Sequence, residues 1–475
     1  MAWLKHTYAA LPDSLFSLQA PAPVLGPKMA LYNEALAEEL GVARHFEDEQ
    51  KTLAYLSGNE TVPGSQPIAQ AYAGHQFGYF NRLGDGRAVL LGEMETPRGL
   101  YDLQLKGSGQ TAYSRRGDGR ATFYSMLREY LISEAMHALG IPTTRSLAVV
   151  KTQDSVYREQ VNEGGILTRV AASHIRVGTF EYARYFGKPG DLESLLEYTI
   201  QRHYPELLDH ENHALALLER VMEKQQALIV HWLRVGFIHG VMNTDNMAIS
   251  GETIDYGPCA FMNAYHPKTV FSSIDREGRY AFVNQPNIAF WNLRVFANAL
   301  VPLIDEEEAV ADEKAQAVLA TFPEDFSRSY FEMMGNKLGI VNPTEGIRDL
   351  IQEGMGHLAK NQVDYTNFFT ELRRNGELIS QLGKDEAFEA WYKNWETART
   401  HGATVEESEA LMKQHNPVVI PRNDKVEDVL NAAVLGDMQP FHAFLEALSK
   451  PYDDQAPLQL VPAGFDASYR TFCGT

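Results

Sequence analysis

The stretch from His239 to Tyr256, HGVMNTDNMAISGETIDY, gathers a carboxylate (Asp245), a carboxamide (Asn246) and a second carboxylate (Asp255) in a short span. Oxygen donors of this kind suit Mg²⁺ or Mn²⁺, hard cations that bridge protein oxygens to the phosphates of a nucleotide. Met247 and Ile249, then Ile254, alternate with smaller or polar residues on either side of Ser250-Gly251. The alternation predicts two short strands joined by a hairpin turn, with Asn246 and Asp255 side by side at the open end.

Enzymes of protein-kinase type hold their metal in this manner, through a catalytic-loop Asn and the Asp of a D-F-G triplet; here the triplet reads Asp255-Tyr256-Gly257. Two residues after the loop His, where such enzymes carry their base, this chain has Val241. A degenerate loop in an inactive kinase fold is one reading of that departure, so the elements around the loop have to discriminate.

From Gln76 the period becomes that of strands. QFGYFNRL and RAVLLGEM are separated by Gly84-Asp85-Gly86, and YDLQLKG follows a turn at Pro97-Arg98-Gly99. In YDLQLKG the side chains of Asp102, Gln104 and Lys106 share one face, with Leu103 and Leu105 on the other. A Gly-rich turn followed by a strand Lys is how a kinase N-lobe covers and grips phosphates. The segment GSGQTAYSRRGDGR offers a second anion contact, with Arg115, Arg116 and Arg120 around Gly117-Asp118-Gly119 just before a helix. That helix is predicted over Ala121 to Leu139, stopped by Gly140 and Pro142, and Glu129 or Glu134 on it is placed to pair with Lys106.

Ser146–Thr152 and Gly165–Ala171 read as two more strands, giving a five-stranded antiparallel sheet with one helix. Arg169 and Arg176 lie seven residues apart; a helix from Ala171 onward would put both guanidinium groups on one side, where they suit a phosphate. Helices are predicted over LESLLEYTIQRHY, over Asn212 to Val235, and through most of the chain beyond Pro286. An earlier one is predicted over Met29 to Leu40. The expected class is α+β, protein-kinase-like and bilobal. Its parts are an N-terminal extension (1–65), an N-lobe (66–175), a C-lobe core with the catalytic loop (176–290) and a helical C-terminal part (291–475).

The chain has 475 residues, 44% hydrophobic and 11% aromatic, as in a globular protein with a large core. Its net charge of -20 argues against nucleic acid as a partner, since a polyanion binder needs a basic footprint. No apolar run reaches the roughly eighteen residues of a membrane span, and the N-terminus has no signal-peptide pattern. The two cysteines, Cys259 and Cys473, point to a reducing compartment, so a cytoplasmic monomer is expected. Cys259 lies close behind Asp255 and Cys473 near the chain end, so either two unrelated thiols or a reversible redox pair fits the spacing.

The blocks GHQFGYFNRLGDGRAVLLGE, YDLQLKGSGQTAYSRRGDGRA, LTRVAASHIRVGTFEY and HGVMNTDNMAISGETIDYGPCAFM together resemble the selenoprotein O family, the YdiU family of bacteria. The resemblance implies a pseudokinase fold that binds ATP in reversed orientation. It also implies transfer of AMP to Ser, Thr or Tyr hydroxyls of proteins, with UMP as a further donor group in some bacterial members. By motif it implies Gly84, Gly86, Arg87, Lys106, Asp118, Gly119, Arg169 and Arg176 as nucleotide contacts, and Glu129 as the partner of Lys106. Asp245 matches the proton acceptor, Asn246 and Asp255 match the ligands of Mg²⁺ or Mn²⁺, and Cys473 stands where members carry selenocysteine or cysteine. A kinase-type phosphotransferase and a non-catalytic ATP-binding scaffold are the competing expectations.

Overall fold

The computed structural model describes residues 3–344, 346–454, 459–462 and 464–472. In chain order its first strands are β1 (Leu4–Lys5), β2 (Phe16–Leu18), β3 (Lys28–Tyr32), β4 (Ile68–Gln70), β5 (Ala73–Gln76), β6 (Tyr79–Arg82), β7 (Ala88–Thr96), β8 (Gly99–Lys106), β9 (Ala121–Thr122), β10 (Arg145–Tyr157) and β11 (Val161–Ala171). Nine of them form one sheet of order β2-β4-β7-β8-β11-β10-β3, with β1 on β7 and β9 on β11, and every pairing is antiparallel.

The sheet therefore has nine strands where five were expected. Three of the added strands come from residues before 65, and they are too short to show a period of two: their partners on β4, β7 and β10 lie far along the chain. The helix expected from Met29 begins later. Lys28–Tyr32 pairs with β10, and α1 (Glu34–Glu39) starts at Asn33, whose side chain accepts from the Leu36 N–H as an N-cap. The segment QFGYFNRL also departs from expectation: β6 pairs only with β5, across a two-residue turn in which Phe77 (φ 51°) and Gly78 (φ 87°) are both left-handed. Two positive φ values give the turn the twist that a short hairpin needs.

After α2 (Glu49–Leu56), helix α3 (Phe123–Ala138) lies against β10 and β11, capped by Thr122, whose hydroxyl accepts from the Ser125 N–H. Apolar Phe123, Met126, Leu127, Leu131 and Ala135 face the core at helical spacing, and Glu129 is buried with them. Helices α4 (Val177–Phe186), α5 (Asp191–His203) and α6 (His213–Val235) follow. Asn212 caps α6, and Gly236, left-handed at φ 75°, ends it and turns the chain into the loop that begins near His239. The short pair β12 (Phe237–Ile238) and β13 (Ala260–Phe261) closes that loop at its base. Beyond it the described chain is largely helical, from α7 (Gln285–Ile304) to the helix Gln439–Leu448. Phe282–Ile304 is long and apolar enough to cross a membrane by length and composition. Its apolar residues Leu293, Phe296, Ala297 and Leu300 are buried in the core against α4, α6 and the following helix Glu308–Leu319.

Candidate active site

Lys106 ends β8, and β11 runs beside it with Arg169 opposite Gln104, so the two cationic side chains emerge on one face of the sheet. Helix α3 crosses that face and places Glu129 between them. Lys106 Nζ donates to Glu129 Oε2 at 2.6 Å, while Arg169 Nη2 and Nε donate to Glu129 Oε1 at 2.6 and 3.0 Å. Glu134 is engaged elsewhere, by Arg145 at 2.7 Å and by Asn33. Of the two glutamates considered from sequence, it is Glu129 that meets the lysine.

The far side of the cluster is Asp255. Its Oδ1 accepts from Lys106 Nζ at 2.8 Å and from Arg169 Nη2 at 2.6 Å; its Oδ2 accepts from Arg176 Nη1 at 2.9 Å. The three cations hold the Asp255 carboxyl well below the usual carboxylate range against the cost of its burial. Arg169 and Arg176 do converge, though not along a helix: Arg169 is on β11 and Arg176 is the N-cap of α4, at the end of the turn that leads out of that strand. Asp255 itself is left-handed at φ 66°, a conformation that is strained for a non-glycine residue and recurs at functional sites.

The hairpin expected around Ser250-Gly251 is not a paired ribbon. The chain does turn there, with Gly251 N–H on Ala248 O at 3.1 Å, but each arm takes its backbone partners from outside. Ile249 N–H donates to Ile175 O and Thr253 N–H to Pro142 O, both at 2.9 Å, and Ala248 bridges Arg176. Neighbouring chain outcompetes the short local pairing. Asn246 and Asp255 are still brought together, Asn246 Nδ2 lying 3.4 Å from Asp255 Oδ2.

Asp245 sits in a one-turn 3₁₀ segment, Thr244–Asn246, beside this cluster. Its backbone carbonyl accepts from Arg176 Nη1 at 2.7 Å, whereas its buried Oδ1 has no hydrogen-bond partner within the protein. Burial pushes the Asp245 carboxyl up to about 6, with Arg176 opposing the rise. Gly74 on β5 makes room for it: a Cβ there would lie 2.3 Å from Asp245 Oδ1.

These groups face a cavity of about 940 Å³, a size that accommodates a nucleotide. Gly84, Gly86, Arg87, Asp118 and Gly119 line it as well. Gly84 has φ 134°, and any side chain there would collide with the Tyr113 ring, so the turn can pass close only as glycine. Asp118 is held by Arg158, Nη1 to Oδ2 at 2.9 Å and Nη2 to Oδ1 at 3.2 Å. Arg158 escaped the sequence reading because it sits in a β10–β11 turn that carries no motif. Asp85 escaped it as well, hidden between two glycines; it is buried 4.0 Å from Arg176.

Among the described residues no three His, Cys, Asp or Glu side chains form a metal cluster. The donor chemistry nonetheless fits a hard divalent cation: Asn246 and Asp255 are adjacent, the Asp245 oxygen is unshared, and such ions take further ligands from phosphates and water. Cys259 is fully buried and its thiol is pushed up to about 11 by burial. Cys473 lies outside the described residues. The chain just before it packs next to Cys259, Thr471 Oγ1 donating to Pro258 O at 2.7 Å.

Comparison with known proteins gives a consistent result. A family model described as protein adenylyltransferase SelO matches residues 5–449. A protein nucleotidyltransferase YdiU of Syntrophotalea carbinolica is 52% identical over 476 residues, covering 99% of this chain and 97% of the relative. A namesake in Brevibacillus brevis is also 52% identical, over 478 residues, with the same coverage. Another, from Geobacillus kaustophilus, is 51% identical over 477 residues, covering 99% of this chain and 98% of its own.

Proposed function

The chain belongs to the SelO family of protein adenylyltransferases and is a nucleotidyltransferase, and from that premise we propose that it transfers AMP from ATP to Ser, Thr or Tyr hydroxyls of proteins, releasing pyrophosphate. The observation that carries this reading is the convergence of Lys106, Arg169 and Arg176 on Asp255, in the same cavity as the acceptor-type carboxylate Asp245.

Three fixed cations are more than a single phosphoryl group calls for. They match pyrophosphate, whose charge grows as the bond to the α-phosphorus breaks, and they are held in place beforehand, Lys106 and Arg169 by Glu129 and Arg176 by the Asp245 carbonyl, so little reorganisation is needed. Asp245 takes the proton of the incoming hydroxyl; a carboxyl near 6 is mostly ionised at neutral pH yet basic enough to accept a proton. Gly84, Gly86, Arg87 and the Gly117-Asp118-Gly119 loop hold the rest of the nucleotide against the cavity wall. Asn246 and Asp255 are the residues that would hold Mg²⁺ or Mn²⁺, which supplies Lewis-acid polarisation of the phosphate when bound. Use of UTP as donor of UMP remains within the same reading, because none of the contacts named here reads the base.

The order strand Lys, helix Glu, loop Asn and Asp-Tyr-Gly supports a protein-kinase-like, two-lobed arrangement in which the usual base position, Val241, is vacated and the acid has moved to Asp245. The test is incubation of the protein and an acceptor protein with α-labelled and γ-labelled ATP in parallel, followed by intact mass. Label from the α position only, with a mass gain of one AMP on the acceptor, is expected. Label from the γ position would make the protein a phosphotransferase and overturn the reading.

A further inference from the structure

On the Asp245 side of the cavity the wall is the β5–β6 hairpin. It is fixed there at several points: Gly74 lies against the Asp245 carboxylate, His75 N–H donates to Thr244 Oγ1 at 2.8 Å, and Phe77 N–H donates to Asn243 Oδ1 at 3.2 Å. Its inner residues, Gln76 and Phe77, line the cavity. Its base is tied to α4, where His75 Nδ1 stands 2.6 Å from the buried Glu181 Oε1.

The outer side of the same unit is aromatic. Tyr79 is 78% exposed, Tyr185 51%, Phe186 41% and Phe80 39%. Three of them are contiguous: the Phe80 ring lies 5.6 Å from Phe186, stacked, and 5.4 Å from Tyr185, edge-on, while Tyr79 precedes Phe80 on β6. A connected aromatic patch on a protein surface marks an interaction site more often than a chance exposure. Two guanidinium groups rim it. Arg82 sits 5.6 Å over the Phe186 ring and Arg184 5.7 Å over Tyr185; among the described residues neither is in an ion pair. On a chain of net charge -20, these are unneutralised positive charges set on an aromatic surface. Tyr and Arg together are the residue types that dominate binding hot spots.

We propose that this patch, the β5–β6 hairpin with the C-terminal turn of α4, docks the acceptor protein through an extended segment carrying acidic and apolar side chains near the modified hydroxyl. The proposal rests on the AMP-transfer reading above and names its partner chemistry. Two arguments select this occupant. The patch continues into the wall that holds Asp245, so a segment lying on it delivers a hydroxyl to the proposed base. Its free charges are positive, so acidic side chains on the segment complement them, with the aromatic rings taking the apolar ones.

The probe is a fluorescein-labelled peptide with one central Ser flanked by alternating Glu and Leu, and its counterpart with Lys in place of Glu. Anisotropy titrations use the full chain and a triple variant, Tyr79→Ser, Phe80→Ser and Tyr185→Ser, whose side chains are all on the surface. The expected result is binding of the acidic peptide by the parent, at least tenfold weaker binding by the variant, and weakening of the same order in Arg82→Ala with Arg184→Ala. Equal affinity of parent and variant, preference for the lysine peptide, or no binding to the parent would overturn the proposal. So would a dimer in sedimentation that the triple variant dissolves, since the occupant would then be a second copy. The titration requires no turnover, so its failure is distinct from a failure of AMP transfer in the labelling test.

Discussion

Gly74 and Asp245 are in such close contact that a single methyl group on the glycine would fall 2.3 Å from Oδ1 of the aspartate, and 2.9 Å from its Cγ. Two segments far apart in sequence thus define one position: the β5 backbone is the surface on which the proposed base rests. Gly74→Ala is expected to push the carboxylate aside and reduce AMP transfer by about 100-fold, the scale of a roughly 1 Å misplacement, with nucleotide binding retained. Steady-state kinetics alongside ATP titration checks this. A variant with unchanged kcat would show that the carboxylate position does not matter.

The Asp245 carboxyl, pushed up to about 6 by burial, sets a pH dependence. Transfer is expected to rise as pH climbs through that value, because the base must be ionised, and Asp245→Asn is expected to remove this limb and lower kcat by about 10²–10⁴. Stability runs the other way. The folded carboxyl holds its proton to higher pH than the unfolded one, so the unfolded state gains from ionising first, and the protein loses stability between about pH 4 and 6. Asp245→Asn should therefore melt higher than the parent at pH 7 and equally at pH 4. The opposite order would mean that the carboxylate is stabilised in the fold, contrary to its unshared oxygen.

Glu129 is the shared anion of Lys106 and Arg169, and all three are buried. Glu129→Gln leaves the two cations with Asp255 alone. The loss expected for breaking a buried pair is about 3–5 kcal/mol, and it should be seen as a lower denaturation midpoint with unchanged denaturant slope. Restoration by millimolar ATP would be consistent, since phosphates resupply the missing charge. No change in midpoint would mean that Asp255 alone compensates both cations.

Strong periodicity is what made parts of this molecule legible from sequence. The 3.6-residue apolar stripe and terminal glycine of α6 located it almost to the residue, and alternation along β8 put Lys106 on the correct face. Glu129 followed from its place in the next helix. The loop triplet around Asp255 followed from residue type, although the paired hairpin drawn around it did not form, since Ile249 and Thr253 bond to distant backbone instead. Strands of two to five residues such as Leu4–Lys5 and Phe16–Leu18 carry no period, and only partners dozens of residues away define them. Gly74 and Arg158 were invisible for another reason. Their significance is a distance to Asp245 or Asp118, and no local pattern encodes it.

Asp255 is the residue on which the account depends most, because it binds three cations, adjoins Asn246 and adopts a strained backbone. The most direct measurement compares the parent and Asp255→Ala with α-labelled ATP, an acceptor protein and Mg²⁺ or Mn²⁺, after circular dichroism has verified that the variant is folded. A loss of α-label transfer of at least 1,000-fold, about 4 kcal/mol, with the fold intact, is the predicted result. Undiminished transfer at ordinary metal concentration would contradict the assignment of Asp255 and with it the proposed arrangement of the site.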